Sequence, residues 1–195
     1  MSTKNIWQRV KKNWGSIILY ALIALLIFSP DAKSWMLRQV VNTGLLKPEI
    51  QTDKKGEQSP ATRGFQFTDA QGLITDSKSL QGKVVFINFW ASWCPPCRAE
   101  MPDLQRLYGK LKTDDRFVFI FINEDEDKSK AAAYLAKNNF TMPLHYRSGN
   151  IPEEIFSGTL PTTVVLNKNG EVVLKQTGMA TYDSEDFINQ LKALL

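Results

Sequence analysis

The only two cysteines of the chain, Cys94 and Cys97, stand three residues apart in FINFWASWCPPCRAEMP, with Pro95 and Pro96 between them. Cross-linking so close a pair removes little entropy from the unfolded chain, so it is a poor staple. A small exported domain held by structural disulfides scatters several pairs through its loops. Thiols reserved for one spot point to chemistry instead. Upstream, KVVFINFW (residues 83–90) is a nearly continuous apolar, β-rich run, as expected for a central strand covered on both faces. The motif then opens a helix that the pattern carries to about Lys110. A C-x-x-C where a strand hands over to a helix is the thioredoxin-like redox arrangement. The downstream LPTT ahead of a further strand makes the combination more specific than a bare C-x-x-C.

The remaining segments agree with that frame. GFQFTDAQGLITD reads as a small hairpin, RFVFIFIN as a second buried strand, DKSKAAAYLAKNN as a second helix and PLHYR as a third strand. TTVVLNKNGEVVLKQTG places strands on either side of Asn169-Gly170, a strong hairpin signal. DSEDFINQLKALL closes as an amphipathic helix with Asp183 or Ser184 as cap. The expected architecture is α/β, a thioredoxin-like three-layer sandwich with a central mixed sheet over residues 65–195.

The N-terminal part is organised differently. Lys4, Arg9, Lys11 and Lys12 form an acid-free head, while the whole chain has 24 Lys+Arg against 20 Asp+Glu and a net charge of +4. The head therefore accounts for the net charge, and nucleic-acid binding, which needs a basic patch, has no compositional support. The apolar run SIILYALIALLIF follows, beside Trp14 and before Ser29-Pro30. A basic flank ahead of an apolar run predicts an N-terminus inside and the remainder exported. The run is short for a span, and a cleaved signal peptide is the alternative to a retained anchor. The expected organisation is a cytoplasmic head over 1–13, a transmembrane signal anchor over 14–30, and an amphipathic juxtamembrane segment and linker over 31–64. In that linker SWMLRQVVNTGLL suits a helix on the membrane surface, and KPEIQTDKKGEQSPATRG (47–64) reads as a tether. This predicts a single-pass protein of the bacterial cytoplasmic membrane, its catalytic domain facing the periplasm.

With Cys94 as helix N-cap, the unpaired N–H groups and dipole of the first turn stabilise its thiolate. Cys94 is the expected exposed nucleophile. Cys97, one turn in, is the resolving thiol that releases the partner. Pro95 and Pro96 suit the first turn, where their missing N–H goes unused. They also delete two donors to the thiolate, which predicts a moderately depressed pKa and a reducing potential. Glu100, one turn beyond Cys97, is either a proton acceptor for that thiol or a solvated helix glutamate. Asn88, polar in an apolar strand, is either a satisfied buried amide or part of a proton path. Pro102 is expected to kink the helix by removing the bond to the Arg98 carbonyl. Trp90 reads as packing, Trp93 as site shielding, and the acids of NEDEDK as a solvated helix start. His145, the only histidine, reads as a polar strand residue.

At FINFWASWCPPCRAEMP and LPTTVVLNKNGEVV the chain resembles the TlpA/ResA-like family of membrane-anchored thioredoxin-fold proteins, over residues 65–195. The resemblance implies Cys94 as nucleophile, Cys97 as resolving cysteine, Glu100 as active-site acid and a cis bond before Pro161. It also implies that Trp93, Pro95, Leu160 and Pro161 meet the substrate, the Leu160 backbone pairing with an extended client as in strand addition. Asn88 stands where thioredoxin itself has a buried aspartate, which favours a proton-transfer role for Glu100. The implied activity is reduction of exported thiol/disulfide proteins, including apocytochrome c cysteines, with electrons from a membrane thiol transporter. No organic cofactor is implied, because the thiols carry the electrons. A disulfide-donating oxidase is the alternative within the same chemistry. A Cu(I)-binding module is the alternative of another class, though no third sulfur or histidine lies at ligand spacing.

Overall fold

The computed structural model describes residues 13–43, 46–50 and 64–195; the basic head and most of the 47–64 tether lie outside the described residues. Two helices come first, α1 (Trp14–Phe28) and α2 (Pro30–Asn42). Ser29 separates them: its amide closes α1 on the Leu25 carbonyl, and its hydroxyl caps the Ala32 amide of α2 with Pro30 in the first turn. At about 1.5 Å per residue α1 spans about 22 Å. Among the described residues no single helix is long and apolar enough to cross a membrane.

The domain proper contains β1 (Gln66–Asp69), β2 (Ile74–Asp76), β3 (Val84–Trp90), α3 (Pro95–Leu111), β4 (Phe117–Asn123), α4 (Lys128–Lys137), β5 (His145–Ser148), β6 (Thr162–Leu166), β7 (Val172–Thr177) and α5 (Glu185–Lys192). The strands form one sheet in the order β2-β1-β5-β4-β3-β6-β7. β3 runs parallel to β4 and antiparallel to β6, so the sheet is mixed and β3 lies inside it. All seven residues of β3 are buried, as its continuous apolar run requires.

The alternation of β3 divides the core. Val84, Phe86 and Trp90 face a cluster with Met101, Leu104 and Leu107 of α3, Leu135 of α4 and Phe187 of α5. Val85, Ile87 and Phe89 face the other side, where Phe65, Ile151, Ile155 and Phe156 cover them. The second outer layer is therefore made of turns, strand residues and Leu80 of the short 3-10 helix Ser77–Leu80, and no α-helix among the described residues contributes to it. Phe156 seals it by stacking on Phe89 at 4.2 Å between ring centroids.

Two local expectations take a definite form and one changes. The Asn169-Gly170 connection is a wider loop, in which the Asn167 side chain accepts from the amides of Asn169 and Glu171. Ser184 caps α5, and Asp183 is instead bound by Arg106. The tether does not begin at Lys47, because Ile50 is buried in the larger core cluster and its amide donates to Gln190 Oε1.

Candidate active site

The buried end of β3 delivers the chain through Ala91, Ser92 and Trp93 to Cys94, which caps α3 in an extended conformation. Its Sγ accepts from the Cys97 amide at 3.3 Å and is joined to Cys97 Sγ in a disulfide. Pro95 and Pro96 occupy the first two helical positions, so Cys97 supplies the first N–H available to the cap. The expectation of an exposed Cys94 needs correction. Cys94 is 3% exposed and Cys97 0%, because the bridged Sγ turns inward to the helix and joins the apolar cluster. Trp93 is the exposed residue, at 61%. It borders a groove of about 260 Å³ with Glu124, Asp125, Glu126, Asp127 and Lys130.

Glu100, one turn beyond Cys97 on α3, is fully buried. Its Oε1 accepts from Asn88 Nδ2 at 2.9 Å and its Oε2 from the Ala180 amide at 3.3 Å. Burial dominates and pushes its pKa up to about 8; the bonds from Asn88 and Ala180 oppose the rise, and Asp103 adds to it. The solvated-glutamate alternative is thereby excluded. Asn88 Nδ2 also donates to Thr163 Oγ1 at 3.0 Å, tying β3, α3 and β6 together. Its Oδ1 has no hydrogen-bond partner among the described residues.

The Leu160–Pro161 bond is cis, and Leu160 borders both core clusters. The Pro161 carbonyl accepts from the Gly178 amide at 2.9 Å. The Leu160 amide and carbonyl make no hydrogen bond among the described residues.

Several contributors were not read from the sequence. Asp125, 8% exposed, is not part of a solvated helix start: it accepts from the Ser92 amide at 3.0 Å and from Asn123 Nδ2 at 3.0 Å, bracing the loop before Cys94. Asp127 alone caps α4, through the Ser129 amide. The N-x-D spacing of Asn123 and Asp125 was the available signal, since short polar side chains bind the backbone two residues away. Thr163 and Ala180 carried no local signal. His145 is a strand residue whose Nδ1 accepts from the Phe121 amide at 3.2 Å; burial holds its pKa down at about 4. Among the described residues no three His, Cys, Asp or Glu side chains converge as a metal site.

A family model for Redoxin matches residues 54–191. The chain belongs to the redoxin family. Within it, this redoxin is TlpA/ResA-like. The thiol-disulfide oxidoreductase ResA of Halalkalibacterium halodurans is 32% identical over 141 residues, covering 71% of this chain and 78% of that protein. The ResA of Oceanobacillus iheyensis is 28% identical over 189 residues, covering 94% of this chain and 92% of that protein. StoA from Bacillus subtilis shares the fold at a TM-score of 0.53 and 26% identity, over 67% of this chain and 95% of that one. Together with the bridged pair at the start of α3, these relatives make the redoxin a thiol–disulfide oxidoreductase with Cys94–Cys97 as its redox centre.

Proposed function

We propose that this redoxin is a membrane-tethered, extracytoplasmic thiol–disulfide oxidoreductase that mainly reduces disulfides of exported proteins, apocytochrome c among them. The observation that carries the reading is a thiol pair at a helix start, one turn ahead of a buried, hydrogen-bonded carboxyl. In the reduced enzyme the Cys94 thiolate attacks one sulfur of the client disulfide. A Cys94–client bond forms, and the other client sulfur leaves as a thiolate that takes a proton. Cys97 then loses its proton to the ionised form of Glu100 and attacks Cys94 Sγ, which breaks the mixed disulfide and releases the second client sulfur as a thiolate that takes a proton. Two electrons have passed from the dithiol to the client. A membrane dithiol donor reverses the sequence on the enzyme.

The unpaired Leu160 backbone supports docking of an extended client strand, and in this reading Trp93, Pro95 and Pro161 meet the same client. Tethering is supported by α1, whose apolar side chains from Trp14 to Leu25 are exposed, and by the basic head before it.

Direction follows from the first turn. Pro95 and Pro96 remove two donors, leaving the Cys97 amide on Cys94 Sγ. A thiolate with fewer donors is less stabilised, so the dithiol gives up electrons more readily. Equilibration with a thiol buffer is expected to return a potential near thioredoxin's, about −270 mV. A value near about −120 mV contradicts the reductase direction and favours the disulfide-donating oxidase.

A further inference from the structure

Residues 30–43 and 46–50 grip the domain at two places, one on the neighbour of Cys97 and one on the neighbour of Ala180. The first is created by Pro102. It has no N–H for the carbonyl four residues back, which belongs to Arg98, the neighbour of Cys97. That carbonyl accepts instead from Arg38 Nη2 of α2 at 3.3 Å. The Arg98 guanidinium pairs with Asp31 of α2 and lies over the Tyr134 ring at 5.0 Å. The second grip is on Thr181. Its amide donates to the Leu46 carbonyl and its hydroxyl to the Val41 carbonyl, both at 2.9 Å, and Val41 is fully buried. One residue back, the Ala180 amide donates to Glu100.

We propose that α2 and the stretch at Leu46 are a positioning strap for the redox centre, bracing the motif helix at Arg98 and holding the Ala180–Thr181 segment so that the Ala180 amide stays on Glu100. The strap follows α1 directly, so what fixes the N-terminal part of the chain also fixes the donor set of the buried carboxyl. The proposal rests on Glu100 acting as the proton acceptor of Cys97. The charged or titratable groups facing Glu100 are Asp103 of α3 and Tyr182 of the segment before α5. Asp103 is in turn faced by Arg106, Asp183 and Arg38. Because Arg38 carries a charge into that set, the charge-neutral Thr181→Val is also read alone, which separates the strap's bond from that charge.

The test uses the full chain and reads the midpoint of the pH limb of disulfide-exchange rate assigned to Glu100. Loosening the Ala180 bond withdraws a donor from the carboxylate. The midpoint in Thr181→Val with Arg38→Met is therefore expected to rise by about half to one pH unit, making exchange about 3- to 10-fold slower below it. Restoring Thr181 as Ser and Arg38 as Lys is expected to bring the midpoint back. Thr181→Val alone carries the same test with a smaller rise if the double variant fails to fold. An unmoved midpoint, even with a lower melting temperature, overturns the strap. A limb that survives Glu100→Gln in the otherwise native chain overturns the reading of Glu100, and the strap with it.

Discussion

Glu100→Gln is expected to flatten the pH dependence of folding stability, making the oxidised protein less stable than the native chain near pH 5 and more stable near pH 9. Glu100 is neutral in the folded protein up to about pH 8, whereas the unfolded chain ionises it near 4.5. Between those values the native state holds the extra proton, so stability falls as pH rises. At 1.36 kcal/mol per unit the full loss is about 5 kcal/mol, reached once pH passes the folded value. Glutamine keeps the size and never ionises. Its one amide oxygen serves only one of the two donors, Asn88 Nδ2 and Ala180 N, at a cost of about 1–3 kcal/mol. The two stability curves therefore cross. Asp103, raised by burial to about 6, adds a fall between about pH 4 and 6 in both proteins, so their difference isolates Glu100. Denaturant midpoints across pH check this; parallel curves contradict a buried, protonated Glu100.

Cys94→Ser is expected to lower disulfide-exchange turnover to the uncatalysed background, since removal of a nucleophile costs on the order of 10⁶ in turnover. A hydroxyl at the cap still accepts from the Cys97 amide, so α3 keeps its start and the loss is chemical. Circular dichroism alongside an insulin-reduction assay separates the two. Cys97 alone does not rescue turnover, because a lone thiol one turn inside the helix, 0% exposed in the disulfide state, has no partner to complete the exchange.

The features that depend on local sequence are legible in it. β3, the strand-to-helix joint and the motif helix each announce themselves through apolar runs, turn chemistry and the proline-filled first turn. What escaped depends on pairing across long stretches of chain. Thr181 and Val41 are 140 residues apart, and Ala180 and Glu100 are 80 apart. No window of sequence brings such partners together. The same reason hid the depth of Glu100: helical spacing places it near Cys97, but its burial comes from β3, β6 and the segment after β7 closing over it. Lys47–Ile50 misled in the opposite way, since a polar, aperiodic stretch looks like tether even where one isoleucine is drawn into the core.

The division of labour between the two sulfurs is tested most directly by Cys97→Ser in the full chain, mixed with a disulfide substrate and mapped by mass spectrometry. The expected result is a long-lived mixed disulfide on Cys94, formed in near-stoichiometric yield and absent from Cys94→Ser. A Cys97→Ser protein that forms no adduct at Cys94, or that turns over as fast as the native chain, contradicts the account.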